Sequence, residues 1–267
     1  MNINLPFLPS RPRVAVVRLA GMIGAGGRFG GGLSDEAIAP VLGRAFAMKP
    51  RAVALVINSP GGSPVQSALI GARIRRLAEE KKIPVHAFVE DLAASGGYWL
   101  ACAADDIWID DSSVVGSIGV ISSSFGFADL MARGGIERRV HTAGKSKSLG
   151  DPFQPEKPED VARLRAILDP IHRNFIAHVQ ARRGQRLATG TDLFQGDVWV
   201  GQGAVDLGLA DGIGHMVPRL KALYGDKVRL MPLGVRRSFW RRFGAGAALG
   251  AVAEATEDRA LWARYGL

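Results

Sequence analysis

Two stretches of the chain share one order of elements, and this order constrains the fold more than any other feature. Each is an apolar strand followed by a glycine-rich turn and a helix: residues 52–58 (AVALVIN) run into SPGGS, and residues 83–90 (IPVHAFVE) run into DLAASGG. Strands that are apolar on both faces and alternate with helices are typical of a mostly parallel sheet covered by helices. We therefore predict an α/β fold built from repeated β-β-α or βαβ units.

The remaining elements follow from periodicity and from residues typical of helix ends. Ser63, Pro64 and Gln66 predict a helix start in which serine caps, proline takes the first position and glutamine completes a capping box. Other segments predict strands over residues 13–23 and 106–110, a helix after Ser34 to residue 48, a helix over residues 64–80, a long helix over residues 158–183 kinked at Pro170, and a turn-rich return over residues 200–214.

Composition divides the chain into an N-terminal arm (residues 1–12), one domain (residues 13–232) and a basic aromatic C-terminal tail (residues 233–267). The net charge is +9, and residues 215–267 hold ten Lys or Arg against four Asp or Glu. The basic excess therefore belongs mainly to the C-terminal part, and the chain lacks the basic clusters interleaved with aromatics that are typical of nucleic-acid-binding modules. We expect no nucleic-acid partner.

Cysteine content and hydropathy limit the compartment. The single cysteine, Cys102, excludes an intramolecular disulfide and a cysteine-rich metal site, and we expect it to be a small buried apolar residue. No apolar run reaches the roughly 18 residues of a membrane span, and the start of the chain does not resemble a signal peptide. We therefore expect a cytoplasmic protein.

The tail segment RRSFWRRF (residues 236–243) has two readings. Its alternation of arginines and aromatics is typical of a peripheral contact with a membrane surface, here the inner membrane. The other reading is a solvated or subunit-contact helix with buried aromatics. The residues that would touch lipid are Arg236, Arg237, Trp240, Arg241 and Arg242.

The two glycine-rich turns predict a reactive site. Ligands of open α/β sheets bind at the carboxyl ends of strands, where both turns lie. The amides of Gly62 and Gly96 are candidates for an oxyanion hole beside Ser95 as nucleophile, each donor contributing about 2.7–4 kcal/mol to transition-state stabilisation. Glycines such as Gly61 and Gly97 let a substrate backbone approach closely. The following residues, Tyr98 and Trp99, are expected in the core, with contact to substrate as the alternative.

A nucleophilic serine needs a base, and the histidines are poor candidates. None of the five, His86, His141, His172, His178 and His215, has a carboxylate in a recognisable triad order, so packing or surface hydrogen bonds are expected for them. Lysine is the alternative, and Lys145 and Lys147 lie among small residues in HTAGKSKSLGDPF. A lysine base must be uncharged, so desolvation would have to lower an ordinary pKa of about 10.4 by roughly three pH units, about 4 kcal/mol. Ser117 is the candidate hydroxyl that holds the amine.

Several motifs together make the chain resemble the signal peptide peptidase A family of Ser/Lys-dyad peptidases, which is related in fold to the Clp protease and crotonase groups. The matching stretches, INSPGGS, AASGGYW, GSIGV, GKSKSLGDPF, NFIAHVQARRG and GQGAVDLGLADGIG, cover roughly residues 13–216 in the family's order. The resemblance implies Ser95 as nucleophile, Lys147 rather than Lys145 as base, and Ser117 as the lysine-supporting serine. It also implies a homo-oligomer in which serine and lysine can come from adjacent subunits.

The sequence thus predicts a serine endopeptidase that cleaves short or unfolded peptides, such as remnants of signal peptides, through an acyl-enzyme. This chemistry requires no metal or nucleotide cofactor. Two alternatives remain at this stage. A crotonase-type acyl-CoA enzyme would use the same paired amides without Ser95 or Lys147, and a membrane-associated scaffold would keep the fold without activity.

Overall fold

The computed structural model describes residues 11–24, 32–144, 146–234 and 262–266. The strands are β1 (Arg13–Ala20), β2 (Ala52–Ser59), β3 (Val85–Ala94), β4 (Asp106–Ile109), β5 (Val114–Gly116), β6 (Val198–Val200), β7 (Gly212–Ile213) and β8 (Arg229–Leu233). The α-helices are α1 (Asp35–Ala47), α2 (Pro64–Lys81), α3 (Gly96–Ala101), α4 (Ala128–Arg133), α5 (Pro158–Arg183), α6 (Gly201–Asp206) and α7 (Met216–Tyr224), and a 3₁₀ turn covers Gly184–Arg186.

These strands form one mostly parallel sheet, which confirms the predicted α/β class. Its order is β6-β5-β3-β2-β1-β8, and β4 and β7 branch from β3. The long strand β3 therefore has two partners on one side, since its first half pairs with β4 and its last three residues pair with β5. Among the described pairings only β5 with β6 is antiparallel. We call this change of partner, from β4 to β5 near the carboxyl end of β3, the fork of β3.

Alternation along the central strands builds a core on each face of the sheet. In β1, Ala15, Val17 and Leu19 belong to the large core that also takes in residues of α1, α2, α3 and α5. The alternate positions Val14 and Val16 belong to a smaller core with Leu220 of α7. Successive strand residues point to opposite faces, so two buried faces require the nearly continuous apolar runs seen in the sequence.

Most helix and strand positions predicted from the sequence are confirmed, with small differences at their ends. The capping box at α2 is only half formed. Ser63 Oγ accepts from Gln66 N, but the Gln66 side chain accepts instead from the backbone amide of Asp35, and Ser63 N donates to Ile23 O. The glutamine thus ties the start of α2 to that of α1. Helix α5 runs through Pro170 over its predicted length of residues 158–183.

The C-terminal part of the domain contains two elements that periodicity did not reveal. Helix α7 covers the second face of the sheet, and β8 adds an edge strand parallel to β1, with Arg13 paired to Arg229 and Val17 to Leu233. The sequence did not predict β8 because Pro232 lies within it, and proline argues against a central strand although it is accepted at an edge.

Several sequence predictions fall outside the described residues. These are the N-terminal arm up to residue 10, most of the glycine-rich loop at residues 24–32, Lys145, and the arginine–aromatic segment of the tail with Arg236, Arg237, Trp240, Arg241 and Arg242. Within the described ranges, no helix has the length and apolar character that crossing a membrane requires.

Candidate active site

Ser95 occupies a strained turn between β3 and α3. Its backbone has φ 51° and ψ −120°. Residues other than glycine rarely adopt this combination, and it costs about 1–3 kcal/mol. The turn is held on both sides, because Ser95 N donates to Gly116 O (2.8 Å) and Ser95 O accepts from Trp99 N (3.0 Å). A sharp strand-to-helix turn of this kind presents a serine hydroxyl at the edge of a sheet.

The turn after β2 lies directly against Ser95. Gly61 has φ +101°, and a Cβ built on it would lie 2.8 Å from both Ser95 Cβ and Gly96 N. Gly62 has φ +140°, and its Cβ would lie only 1.9 Å from Ile23 O. No side chain fits at either position, so the bare backbone of this turn forms one wall beside the serine.

The backbone amides of Gly62 and Gly96 differ from neighbouring amides in their hydrogen bonding. Gly61 N donates to Ser59 Oγ and Ser63 N to Ile23 O. In the part of the chain that the structure describes, by contrast, neither Gly62 N nor Gly96 N donates to a protein acceptor. Two free amides on adjoining turns are what an oxyanion hole requires.

Ser117 follows the neighbouring strand at the same level as Ser95. Ala94 at the end of β3 pairs with Gly116 at the end of β5, so each serine is the first residue after its strand. Ser117 also has positive φ (51°), and its amide donates to Asp197 O at 2.7 Å. The register therefore brings the predicted nucleophile and the predicted supporting serine into one cavity of about 520 Å³, which both of them line together with Gly62 and Gly96.

An apolar wall closes one side of this cavity. It is formed by Trp99, Ile171 and Phe175. The Trp99 ring stacks on His178 (4.3 Å between centroids) and tilts against Phe175 (5.2 Å). Expecting Trp99 in the core was therefore wrong in part, since it is half-buried and faces the cavity, whereas Tyr98 is fully buried and donates to Leu209 O.

The described histidines support the structure, as the sequence indicated, and none of their hydrogen bonds involves Ser95. His172 and His178 on α5 bond through Nε2 to the carbonyls of Ile118 and Trp99, at 3.1 Å each. Burial, the largest influence, lowers the pKa of His178 below its ordinary value. Sequence patterns missed this role of α5, which secures the segments following Ser95 and Ser117.

His86, the buried histidine of β3, lies in a separate hydrogen-bond network. Its Nδ1 contacts Asp106 and its Nε2 contacts Tyr224. This network belongs to the face of the sheet that α7 covers.

Lys147 lies elsewhere. Its side chain is exposed, in a turn that precedes α5, and it does not line the cavity. The sequence predicts a buried amine next to the serine, and a single chain does not provide it. The reason is that Lys147 belongs to a segment, residues 121–157, that is largely exposed and contributes no residue to the buried apolar core.

A serine at a strained strand-to-helix turn, with two free backbone amides beside it, is an arrangement that can support nucleophilic hydrolysis. The model of peptidase family S49 matches residues 77–223, more than half of the chain and including Ser95, Ser117 and Lys147. The chain therefore belongs to peptidase family S49, and the family resemblance drawn from the motifs is confirmed.

Two relatives match most of this chain. A protein of Brucella melitensis described as the Na(+)/H(+) antiporter NhaA is 49% identical over 278 residues, which cover 98% of this chain and 38% of that protein. The chloroplastic serine protease SPPA of Arabidopsis thaliana is 32% identical over 222 residues, 80% of this chain and 32% of that protein. The chain thus spans about a third of the length of these relatives.

Solved structures give a more distant likeness. A membrane-bound stomatin-specific protease in complex with a substrate peptide is 14% identical, with a TM-score of 0.48, and the match covers 91% of this chain and 100% of that chain.

Proposed function

We propose that the protein is a serine endopeptidase that hydrolyses short or unfolded peptides, among them remnants of signal peptides. In this proposal Ser95 Oγ attacks the scissile carbonyl while a lysine amine, that of Lys147, accepts its proton. The amides of Gly62 and Gly96 stabilise the oxyanion, and Gly61 and Gly97 leave room for the substrate backbone. The lysine returns the proton to the leaving amine, and water then hydrolyses the acyl-enzyme by the same route.

The strained backbone of Ser95 carries this proposal. Strain of this kind persists where the surrounding structure enforces it, and it is concentrated at functional sites. Here it coincides with an adjoining turn that excludes side chains and with two unused amides. The apolar wall of Trp99, Ile171 and Phe175 favours an apolar segment of peptide as substrate.

The second part of the proposal is that Lys147 acts in the site of an adjacent copy of the chain. The exposed segment that carries it, residues 121–157, is rich in apolar side chains open to solvent: Ile121, Leu130 and Ile136 are 62–66% exposed and Phe125 is 81% exposed. Contiguous exposed apolar side chains mark interaction surfaces. A second copy that covers this surface would desolvate the Lys147 amine, and desolvation favours the uncharged form that a base requires.

The segment has internal order that suits such a role. Phe127 N donates to Pro152 O (2.6 Å), and the rings of Phe127 and Phe153 stack at 5.7 Å. These contacts join the residues that follow the Lys147 turn to the stretch around Phe127.

Hydrolysis of a quenched fluorescent peptide tests the roles of Ser95 and Lys147. We expect Ser95→Ala and Lys147→Ala each to lower kcat/KM by at least about 10³-fold, because each removes a member of a unit that acts together. Lys157→Ala is the matched control, since Lys157 is also an exposed lysine of this region and contacts Gln154. Lys145→Ala, tested alongside, distinguishes the two lysines of the motif.

Mixing the two inactive variants tests the arrangement between copies. If serine and lysine meet across an interface, a mixture of Ser95→Ala and Lys147→Ala chains recovers part of the activity. Full activity of either single variant would contradict the dyad. Inactive mixtures in which mixed oligomers are shown to form would contradict its assembly from two copies.

A further inference from the structure

Trp99, which belongs to the apolar wall of the cavity, packs directly against the backbone of a neighbouring helix. Its own amide donates to Ser95 O at 3.0 Å, so the residue lies one helical turn after the candidate nucleophile. Gly71 of α2 is buried beside it, and a Cβ built on Gly71 would lie 3.3 Å from both Cδ1 and Nε1 of the indole. The absence of a side chain at Gly71 therefore gives the indole its place against α2.

His178 of α5 holds the same residue by two separate contacts. The imidazole and indole rings are stacked, with 4.3 Å between their centroids and only 6° between their planes. His178 Nε2 also donates to Trp99 O at 3.1 Å, so Nε2 carries the hydrogen of the uncharged ring. Burial lowers the pKa of His178, which keeps the ring uncharged at neutral pH. One side chain thus fixes both the backbone and the ring of Trp99.

His178 can influence the cavity only through Trp99. It is half-buried, and it is absent from the described residues that line the cavity. With α2 on one side and the rings of Phe175 and His178 on others, the indole of Trp99 is held in one position. A wall that is held in place discriminates between side chains by size, because close-packed groups do not move aside for a larger one.

We propose that His178 is a positioning residue that holds Trp99 in place and thereby limits the size of the peptide side chain accepted in the cleft. The inference rests on the proposed function, because the ligand concerned is the peptide that the peptidase would cleave. It goes further in assigning a selective role to a residue outside the cavity. The expected selectivity favours a small apolar side chain over a bulky one.

Peptide binding to a chain that cannot cleave is the test. The parent protein is the full chain carrying Ser95→Ala, and the probes are two fluorescent octapeptides of serine and glycine that differ in one central residue, alanine or phenylalanine. We expect the parent to bind the alanine probe more tightly. Adding His178→Ala should reduce this preference about 3- to 10-fold, part of the roughly 10- to 200-fold by which one methylene group changes recognition in an apolar pocket.

Two conservative variants separate the stack from the hydrogen bond. His178→Phe keeps an aromatic ring without the donor and should retain most of the preference for the alanine probe. His178→Gln keeps a donor without the ring and should lose the preference as His178→Ala does. If His178→Ala fails to fold, these two variants make the same comparison. His215→Ala is the control, because this exposed histidine contacts Asp110 instead of Trp99, and it should leave the preference unchanged.

The outcomes distinguish this inference from the proposed function. Equal affinity of the parent for the two probes, or an unchanged preference in folded His178→Ala or His178→Gln, would overturn the inference even if the wild-type chain hydrolyses peptides. Loss of the preference in His178→Phe would overturn the role of the stack. A preference that falls as expected would support the inference even if no hydrolysis is found, in which case the peptidase proposal alone fails.

Discussion

At the scale of single residues, the site depends on positions where any side chain beyond hydrogen is excluded. Gly61 and Gly62 have positive φ and no room for a Cβ, and Gly97 has ordinary φ but would place a Cβ 2.4 Å from Ser59 O. Ser59 is itself fully buried, with its hydroxyl bonded to Gly21 O. The turn after β2 and the start of α3 therefore pack backbone against backbone. This contact explains why the helix begins with two glycines despite their cost of about 1 kcal/mol each relative to alanine.

Gly97→Ala tests this packing. We expect it to lower the free energy of unfolding by about 1–3 kcal/mol through overpacking and to reduce peptide hydrolysis, because the two turns must separate. Gly43→Ala is the matched control, since Gly43 is an exposed glycine of α1 with nothing within 4 Å of its Cβ, and alanine there should stabilise by about 0.5–1 kcal/mol. Chemical denaturation of both variants gives the comparison, and equal stability would contradict the close approach.

At the scale of elements, the sequence predicted what depends on local pattern. The apolar runs predicted the central strands, and Ser34 and Ser63 predicted where α1 and α2 begin. The glycine-rich turns predicted that Ser95 lies between a strand and a helix. What could not be predicted depends on contacts distant in sequence. The fork of β3, which aligns Ser95 with Ser117, and the hold of α5 on the site have no local signal in the chain.

One such distant contact secures the C-terminal end of α5. Arg183 is 3% exposed, and its guanidinium donates to Gly208 O and to both carboxylate oxygens of Asp211. Asp211 in turn accepts from the amide of Ile107 in β4. The pair joins the long helix to the branch of the sheet formed by β4 and β7.

Removing the Asp211 carboxylate should therefore destabilise the folded protein. We expect Asp211→Ala to lower the free energy of unfolding by about 3–5 kcal/mol, because it leaves the buried Arg183 charge without its partner. Asp206→Ala, at an exposed aspartate that contacts only Gln202 among the described side chains, should change it by less than about 0.5 kcal/mol. Denaturant unfolding measures both, and similar values for the two variants would show that the ion pair contributes little.

At the scale of the whole molecule, the described chain forms only one side of the proposed site. The chain supplies the strained serine, the unused amides and the apolar wall, whereas Lys147 and the apolar side chains of residues 121–157 remain exposed. No sequence pattern shows whether a polar group meets its partner within one chain or between two. The resemblance to the family indicated an oligomer, and the exposure of this segment supports that proposal.

A charge placed on the exposed segment should separate the copies. We expect Phe125→Asp to shift the protein to monomers in analytical ultracentrifugation and to abolish peptide hydrolysis, because Lys147 then no longer reaches a second site. Leu223→Asp provides the control, as it places the same charge on an exposed apolar residue of α7. If Phe125→Asp chains remain assembled and active, another surface must hold the copies together.

Because Cys102 is buried, the distance between neighbouring copies of the chain can be measured with a single engineered cysteine. The residue is 1% exposed, and burial is the main reason why the pKa of its thiol is raised to about 12. The thiolate is the reactive form, so alkylating reagents should leave the native sulfur untouched. One engineered cysteine, for example Ser124→Cys at an exposed position beside Phe125, can then receive a spin label selectively. Dipolar coupling between such labels would report the spacing of neighbouring copies with no background from the wild-type chain.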